Sequence, residues 1–500
     1  MPLPSNAPKK HSRGQVLVLL ALGFVALLGF VALSIDGGMI LSTRRRAQAA
    51  ADSAALAAAY AKVNCRSDWQ DVAWEVARQN GFSADAGDVI NVTCEQADGG
   101  VCADAEDSRT ICVGPEEEHI RVSITTERQT AFAQLLFSDK LETQVEAVAR
   151  ARQESLVGHD IFVSLNPTGA PRAQAGGIMV NNSATVNLTG GGMFSNSNNN
   201  PSVDSGSTVT INLDPGSTIR AVGSINLRPY PDCDWCIEGV QPIDVPELVH
   251  KFHNLIPPIP TPPACTQTVP SLEMKHGGTL SAGVYCVATG KVDLRNVTMT
   301  GNVTIIANPT TTGNIIITNS TANSLEIYNR TGSVIFKDSF SAKRLRVYSS
   351  GDSNVEIKKS ATITVDDALF YLTNGELDWN NETSVQICAP PSDDPDGFAG
   401  LAVYMVNSTG KVDFHGASNN WVVGTILAPF ATVEYHGGSS SDITITCHTD
   451  DANPNNDLYA YHNVPAQVVG GTILFHSGTN IYANFDPQFF YTTTVIEMLK

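Results

Sequence analysis

The chain has 500 residues, of which 42% are hydrophobic and only 16% charged, below the roughly 25% charged share of an ordinary soluble domain. That length implies two or three domains, and the apolar content excludes a disordered chain. The formal charge of −19 is uneven: residues 1–46 carry a net +5 and the remaining 454 carry −24. So acidic a body repels phosphate backbones, which argues against nucleic acid as the main partner.

Residues 1–14 form a short basic tail, expected in the cytoplasm. Gln15 to Ile35 then run without a charge, and as a helix these 21 residues span roughly 31 Å, enough to cross a hydrocarbon core. A cleaved secretory signal has a shorter apolar core, roughly 7–15 residues, and a small-residue cleavage site. Ala32-Leu33-Ser34 is a poor site, so the segment is expected to stay as a transmembrane anchor. Lys9, Lys10 and Arg13 before it balance Arg44, Arg45 and Arg46 after it, so charge alone does not orient the span. The cysteines do. All ten follow the span, as Cys65, Cys94, Cys102 and Cys112, then Cys233, Cys236, Cys265 and Cys286, then Cys388 and Cys447. Even-numbered groups suggest disulfides, which persist outside the reducing cytosol. The expectation is a single-pass membrane protein with its N-terminus cytoplasmic and its body extracytoplasmic. Residues 36–64 are alanine-rich and favour helix, as a juxtamembrane stalk or as a packing surface in an assembly.

The order of these features is distinctive. Arg13-Gly14-Gln15, the apolar span, Asp36-Gly37-Gly38, Arg44-Arg45-Arg46 and the run Ala49 to Ala59, with Asp52 and Ala54-Ala55-Leu56-Ala57, fall in one succession. This succession resembles the N-terminal region of the Flp (tight adherence) pilus-assembly TadE/TadG-like proteins, over about residues 12–60. The resemblance implies a bacterial envelope protein with one N-terminal anchor, serving pilus biogenesis or surface adhesion. In that system prepilins are cut after a glycine, with glutamate five residues into the mature chain. Counted from Gly14 the fifth residue is Leu19, so an uncut, TadG-like anchor fits better than a processed fibre subunit. The Asp-x-Ser-x-Ser metal-adhesion motif of many TadG proteins is absent.

Residues 65–157 read as a small α+β module. Trp69, Val72, Ala73, Val76 and Ala77 recur at helical spacing and stop at Asn80-Gly81. Ile120 to Thr125 alternates as a strand, Thr130 to Phe137 suggests a short helix, and Val145, Ala147 and Ala149 alternate again. Cys102 and Cys112 bracket an acidic loop and are a candidate pair.

Residues 158–500 read as a mainly β, solenoid-like domain. Apolar i, i+2 pairs recur at Val303/Ile305, Ile315/Ile317, Leu325/Ile327, Val334/Phe336, Leu345/Val347, Val355/Ile357 and Ile363/Val365, with polar turns between. Two or three such strands per coil make a repeat of roughly 20–30 residues. A right-handed parallel β-helix is therefore expected, with tandem β-sandwiches as the alternative. Residues 229–263 are Pro-rich and unsuited to central strands, and are expected to cross the solenoid as a long excursion. Two Gly-Thr-Ile-Leu units, at 424 and 471, suggest equivalent positions about two rungs apart.

Candidate chemistry is thin. A β-helix glycosidase needs convergent carboxylates. Asp366-Asp367 is the best pair, with Glu356 and Asp378 nearby, but strand neighbours face opposite sides. Phe414-His415-Gly416 and Tyr435-His436-Gly437 only faintly echo the Gly-His-Gly motif of pectin-degrading enzymes. Cys233-Asp234-Trp235-Cys236 has zinc-like spacing without a second pair, and His250 and His253 read as surface residues. Asp393 to Gly397 and Asp450 to Asn453 offer oxygens for calcium, but Tyr404 at the twelfth position excludes an EF-hand. No catalytic, cofactor or metal residue is assigned. The expectation is a non-enzymatic membrane protein, with other pilus-assembly components or surface glycans as partners and no nucleic acid. The alternative is a surface-anchored carbohydrate-active enzyme.

Overall fold

The computed structural model describes residues 13–499 apart from 64–67, 97–101, 103–117, 129–131, 133–139, 156, 169–176, 200, 229–235, 308–312, 392–393, 417–419, 438–443, 449–457, 462 and 487–488. It divides into two compact units, one of residues 1–153 with 494–500 and one of residues 154–493. The β-rich unit is thus inserted in the chain of the smaller one. The C-terminal residues, expected in the body, instead join the first unit because Thr492–Met498 is hydrogen-bonded beside a strand of that unit.

In the first unit, the expected anchor and the alanine-rich segment form one helix, α1 (Arg13–Val63), of 51 residues and about 76 Å. Its two halves differ in what they expose. Bulky residues from Leu17 to Leu41 face solvent, whereas Ala47, Ala50, Ala51, Ala54, Ala55, Ala58 and Ala59 are fully buried. The alanines pack on α2 (Trp69–Gln79) and on an antiparallel sheet of β1 (Val89–Gln96), β2 (Glu118–Arg128) and β3 (Leu141–Ser155). The helical period of α2 turns Trp69, Ala73 and Ala77 inward, and Gly81 beyond its end takes the left-handed conformation (φ 86°). Along β2 and β3, Ile120, Val122 and Ile124 stand opposite Ala149, Ala147 and Val145. The period of 2 puts all six on the face that meets the helix. The alanine-rich segment is therefore neither a free stalk nor a surface kept for other molecules; it is the core of this module. The helix expected at Thr130 to Phe137 lies outside the described residues apart from Phe132.

In the second unit every pairing of the large sheet among the described residues is parallel, mostly with the strand about 20 residues further on, whereas sandwiches pair antiparallel strands. The i, i+2 pairs are the inward-facing residues. Val303/Ile305 stands opposite Leu325/Ile327 and then Leu345/Val347, and Ile315/Ile317 opposite Val334/Phe336 and then Val355/Ile357. All belong to one buried core. One corner of the rung repeats a left-handed residue at Gly277, Asn296, Asn319, Asp338, Ser360 and Glu382. Asparagine tolerates that conformation better than most residues, and Asn319 donates its side-chain amide to Asn296 Oδ1 across the rungs.

The rungs do not stack in chain order. From β4 (Asp160–Ser164), the chain climbs through Gly192–Ser195 and Ile219–Ala221 to Ile237–Gly239. It then crosses to Gln267–Val269 and coils back through Gly283–Val287, Val297–Ala307, Ile315–Asn329, Val334–Asp352, Thr362–Asn374, Leu401–Met405 and Trp421–His436 to Val464–Phe475. That last strand pairs with β4, Val468 opposite Phe162, so the final rung seats against the first. The two Gly-Thr-Ile-Leu units are not equivalent. Gly424 pairs with Ala466, and Ile473 belongs opposite Val433, because the chain between His436 and Val464 makes this single rung longer than the others.

The Pro-rich excursion joins the two ends of this ladder. Twelve inter-strand steps separate Ile237–Gly239 from Gln267–Val269, about 58 Å at 4.8 Å each. The sequence pattern missed its helix, α3 (Val245–Leu255), where Asp244 accepts a hydrogen bond from the Glu247 amide and Pro246 sits in the first turn. This helix contributes about 16 Å. The other residues between the two strands add about 50 Å if extended as proline favours, so the crossing leaves little slack. It also covers an outward apolar column in which Tyr328, Tyr348, Tyr371, Tyr404, Leu427, Val469, Val163 and Phe194 stand opposite one another. Val249, Phe252 and Ile256 pack on that column.

Candidate metal centre and membrane helix

Residues Leu17 to Lys62 include an 18-residue window of mean hydropathy 2.7 with none of it buried, long and apolar enough to cross a membrane. Ile35 closes this stretch at 43% exposure; Gly14 and Gln15 lie in α1, and their side chains are outside the described set. Asp36 is buried and accepts the Phe132 amide at 3.1–3.2 Å. Gly37 is partly covered, Arg44, Arg45 and Arg46 are exposed, Ala54 and Ala55 are buried, Leu56 is exposed and Ala57 half-buried. The motif therefore alternates between residues that hold the module together and a basic collar beyond the apolar stretch.

Three disulfides among the described residues each join cysteines of one group. Cys94 bonds Cys102, Cys265 bonds Cys286 and Cys388 bonds Cys447, with Cα separations of 5.7, 5.7 and 5.8 Å, inside the usual range. Cys102 thus does not pair with Cys112: Cys94 at the end of β1 takes it instead. Cys236 is also disulfide-bonded, and Cys65, Cys112 and Cys233 lie outside the described residues.

The carboxylates singled out for glycan chemistry separate into two environments. Asp367 is bonded to Arg346, a guanidinium with no exposed surface, which also reaches Asp394 at 2.6 Å. Burial pushes the Asp367 carboxyl up, against the pull of Arg346. Asp366 Oδ1 accepts the His448 amide at 2.6 Å. Asp394 and Asp396, offered by the sequence as calcium ligands, are tied to Arg346 and Arg344; Asp450 and Asp451 are outside the described residues. His250 and His253 are exposed on α3.

Glu356 and Asp378 belong to a different group. The register sets Glu356 opposite Asp378, Asp378 opposite Asp413, and Asp413 opposite Glu434, so four carboxylates line one column. Burial pushes the Asp378 carboxyl above its ordinary value, and the negative Asp413 and Glu356 push it further. Two residues on, the same strands carry His415 and His436, and Tyr435 opposite Phe475 brings His476 alongside. The rings of His415 and His436 stack at 3.9 Å, and those of His436 and His476 at 3.7 Å. Phe414 and Tyr435, each between carboxylate and histidine, meet at 5.0 Å, Tyr435 stacks on Phe475 at 5.4 Å, and the period of 2 turns the residues flanking these rings outward.

Two sets of donors converge here. Asp413 Oδ1 lies 3.1 Å from His415 Nε2 and 3.4 Å from His436 Nε2. Glu434 Oε2 lies 3.2 Å from Nε2 of both His436 and His476. Burial lowers the pKa of His436, and His476 lowers it further, against the pull of Asp413 and Glu434. Glu434 stays below the usual carboxylate range despite its burial, because Lys411 Nζ, 2.8 Å away, and His436 both favour its charged form. Either set, Asp413 with His415 and His436 or Glu434 with His436 and His476, could hold a metal ion. The sequence reading passed over His476. The available signal was an aromatic–histidine pair repeated at 414–415, 435–436 and 475–476, in two cases with a carboxylate just before it.

These features define a protein with, among the described residues, one helix able to cross a membrane, and a mainly β body of parallel rungs. Residues 14–61 match the family model described as "Putative Flp pilus-assembly TadE/G-like", so the N-terminal region is Tad-like and points to a Flp pilus-related membrane protein. No curated protein and no solved structure matches the chain.

Proposed function

We propose that this is a membrane-anchored, extracytoplasmic, non-catalytic protein of Flp pilus assembly or cell-surface adhesion. The observation that carries this reading is α1. Its first half leaves large apolar side chains in solvent, where only lipid would cover them, and its second half is locked into a module by alanines. The Tad match covers both halves. Disulfides in both units fit an oxidising compartment, with the first dozen residues inside. The body is a right-handed parallel β-helix, supported by the parallel rungs and by the strong preference of parallel crossovers for that hand. It acts as a rigid acidic presenter, with other pilus-assembly components or surface glycans as partners and no nucleic acid.

Protease added to spheroplasts tests the topology. The expected outcome is digestion of the body, with a protected fragment containing residues 1–35. A body that resists until the membrane is lysed overturns the proposal.

The carboxylate column, with its raised Asp378, favours a second reading as a surface-anchored carbohydrate-active enzyme. Glycan cleavage abolished by Asp378→Asn supports it. Absence of cleavage across a glycan panel supports the non-catalytic reading, as does the engagement of Asp366 and Asp367 in structural bonds.

A further inference from the structure

We propose that the histidine ladder with Asp413 and Glu434 holds one divalent transition-metal ion of the zinc class. Four nitrogen–oxygen separations, between 3.1 and 3.4 Å, match the edge of a tetrahedron whose ligand bonds are about 2.0–2.1 Å, which is about 3.3–3.4 Å. Within each donor set two of the three edges are thus already spaced for ligands of one ion, and a turn of one stacked ring about its Cβ–Cγ bond brings its in-plane lone pair onto it. Imidazole with carboxylate suits zinc, copper or nickel, whereas magnesium and calcium favour all-oxygen shells.

The surroundings point the same way. Asp413 Oδ1 is buried and accepts no hydrogen bond, although two imidazole nitrogens stand beside it. An acceptor buried in this state is costly unless something satisfies it. Glu434 presents Oε2 to His436 and His476 while Lys411 secures Oε1, the kind of outer contact that orients a metal ligand. The histidine side chains keep 25–33% of their surface exposed, so an ion can enter from solvent and water can complete its shell. His436 belongs to both donor sets through the same Nε2. The stoichiometry is therefore one ion per chain, shared or exchanged between Asp413/His415 and Glu434/His476.

The test uses the full-length chain in detergent, stripped with chelator and dialysed against zinc, with bound metal read by elemental analysis. The wild type is expected to retain about one zinc, and magnesium in its place none. Cobalt should give the visible absorption of a four-coordinate site. His436→Asn breaks both sets and should weaken zinc binding at least tenfold, as should the double change His415→Asn with His476→Asn. His253→Asn, exposed on α3, should bind like the wild type and controls for histidine content. Far-ultraviolet circular dichroism matching the wild type verifies that each variant is folded. Substoichiometric zinc on the wild type, or undiminished binding by His436→Asn, overturns the proposal whatever the protein's role in the envelope.

Discussion

Replacing Phe162 with alanine tests whether the last rung holds the body together. Phe162 is 1% exposed, lies opposite Val468, and meets Phe475 edge-on at 5.0 Å. It therefore joins the first strand of the body to the strand Val464–Phe475 near its end. A phenylalanine buries roughly 200 Å², worth about 5 kcal/mol at 25 cal/mol per Å² as an upper bound. Phe→Ala in cores costs about 3–5 kcal/mol, so the expected loss is about 4 kcal/mol. Stacked rungs share stability mainly with their neighbours, which makes hydrogen exchange on the detergent-solubilised chain the right assay. Amides of Asp160–Ser164 and of Val464–Phe475 should both exchange roughly a thousandfold faster, while Gln267–Val269 at the far end changes little. Phe430→Ala, at a residue 43% exposed, should stay within about 0.5 kcal/mol. Faster exchange in Asp160–Ser164 alone, or a loss below about 1 kcal/mol, would refute the idea that these segments close the stack together.

Two further substitutions address other parts of the molecule. Ala54→Leu inserts three carbons into the core that α1 shares with α2 and the sheet, at a residue with no exposed surface, and should cost about 1–3 kcal/mol in thermal unfolding of the first unit; Leu22→Ala, on the exposed half of the same helix, should leave that transition unmoved. Arg346→Met strands Asp367 and Asp394 and should lower stability to urea by about 3–5 kcal/mol, part of it recovered by adding Asp394→Asn.

What could be read in the sequence was local. Val303/Ile305 and its successors declared inward faces because a strand has a period of 2 and the turns between them are polar. Trp69, Val72, Ala73, Val76 and Ala77 declared α2 because their spacing matches a helical turn. Partner choice was not local. Nothing near Val468 indicates that it stands opposite Phe162, since one parallel apolar strand fits another almost equally well and only the geometry of the long crossing decides. The same limit explains the Gly-Thr-Ile-Leu units, whose likeness implied an equivalence that the long final rung removes. Alpha-helix α3 was legible in Asp244-Val245-Pro246-Glu247, a capped helix start with proline in its first turn, but the surrounding prolines drew the reading toward extended chain. In the histidine ladder, His415 and His436 were visible through the glycine that follows each, while His476, followed by Ser477, was not.

Seating the final rung against the first has a cost in time. As the chain emerges, the strands after β4 and the longer series after α3 each assemble with a raw hydrogen-bonding edge, and neither edge is sealed until residues 464–475 have been made. Nascent or truncated molecules would thus carry two sticky templates for their neighbours. A cell making this protein must shield those templates through most of its synthesis, and safety arrives only with the last few dozen residues.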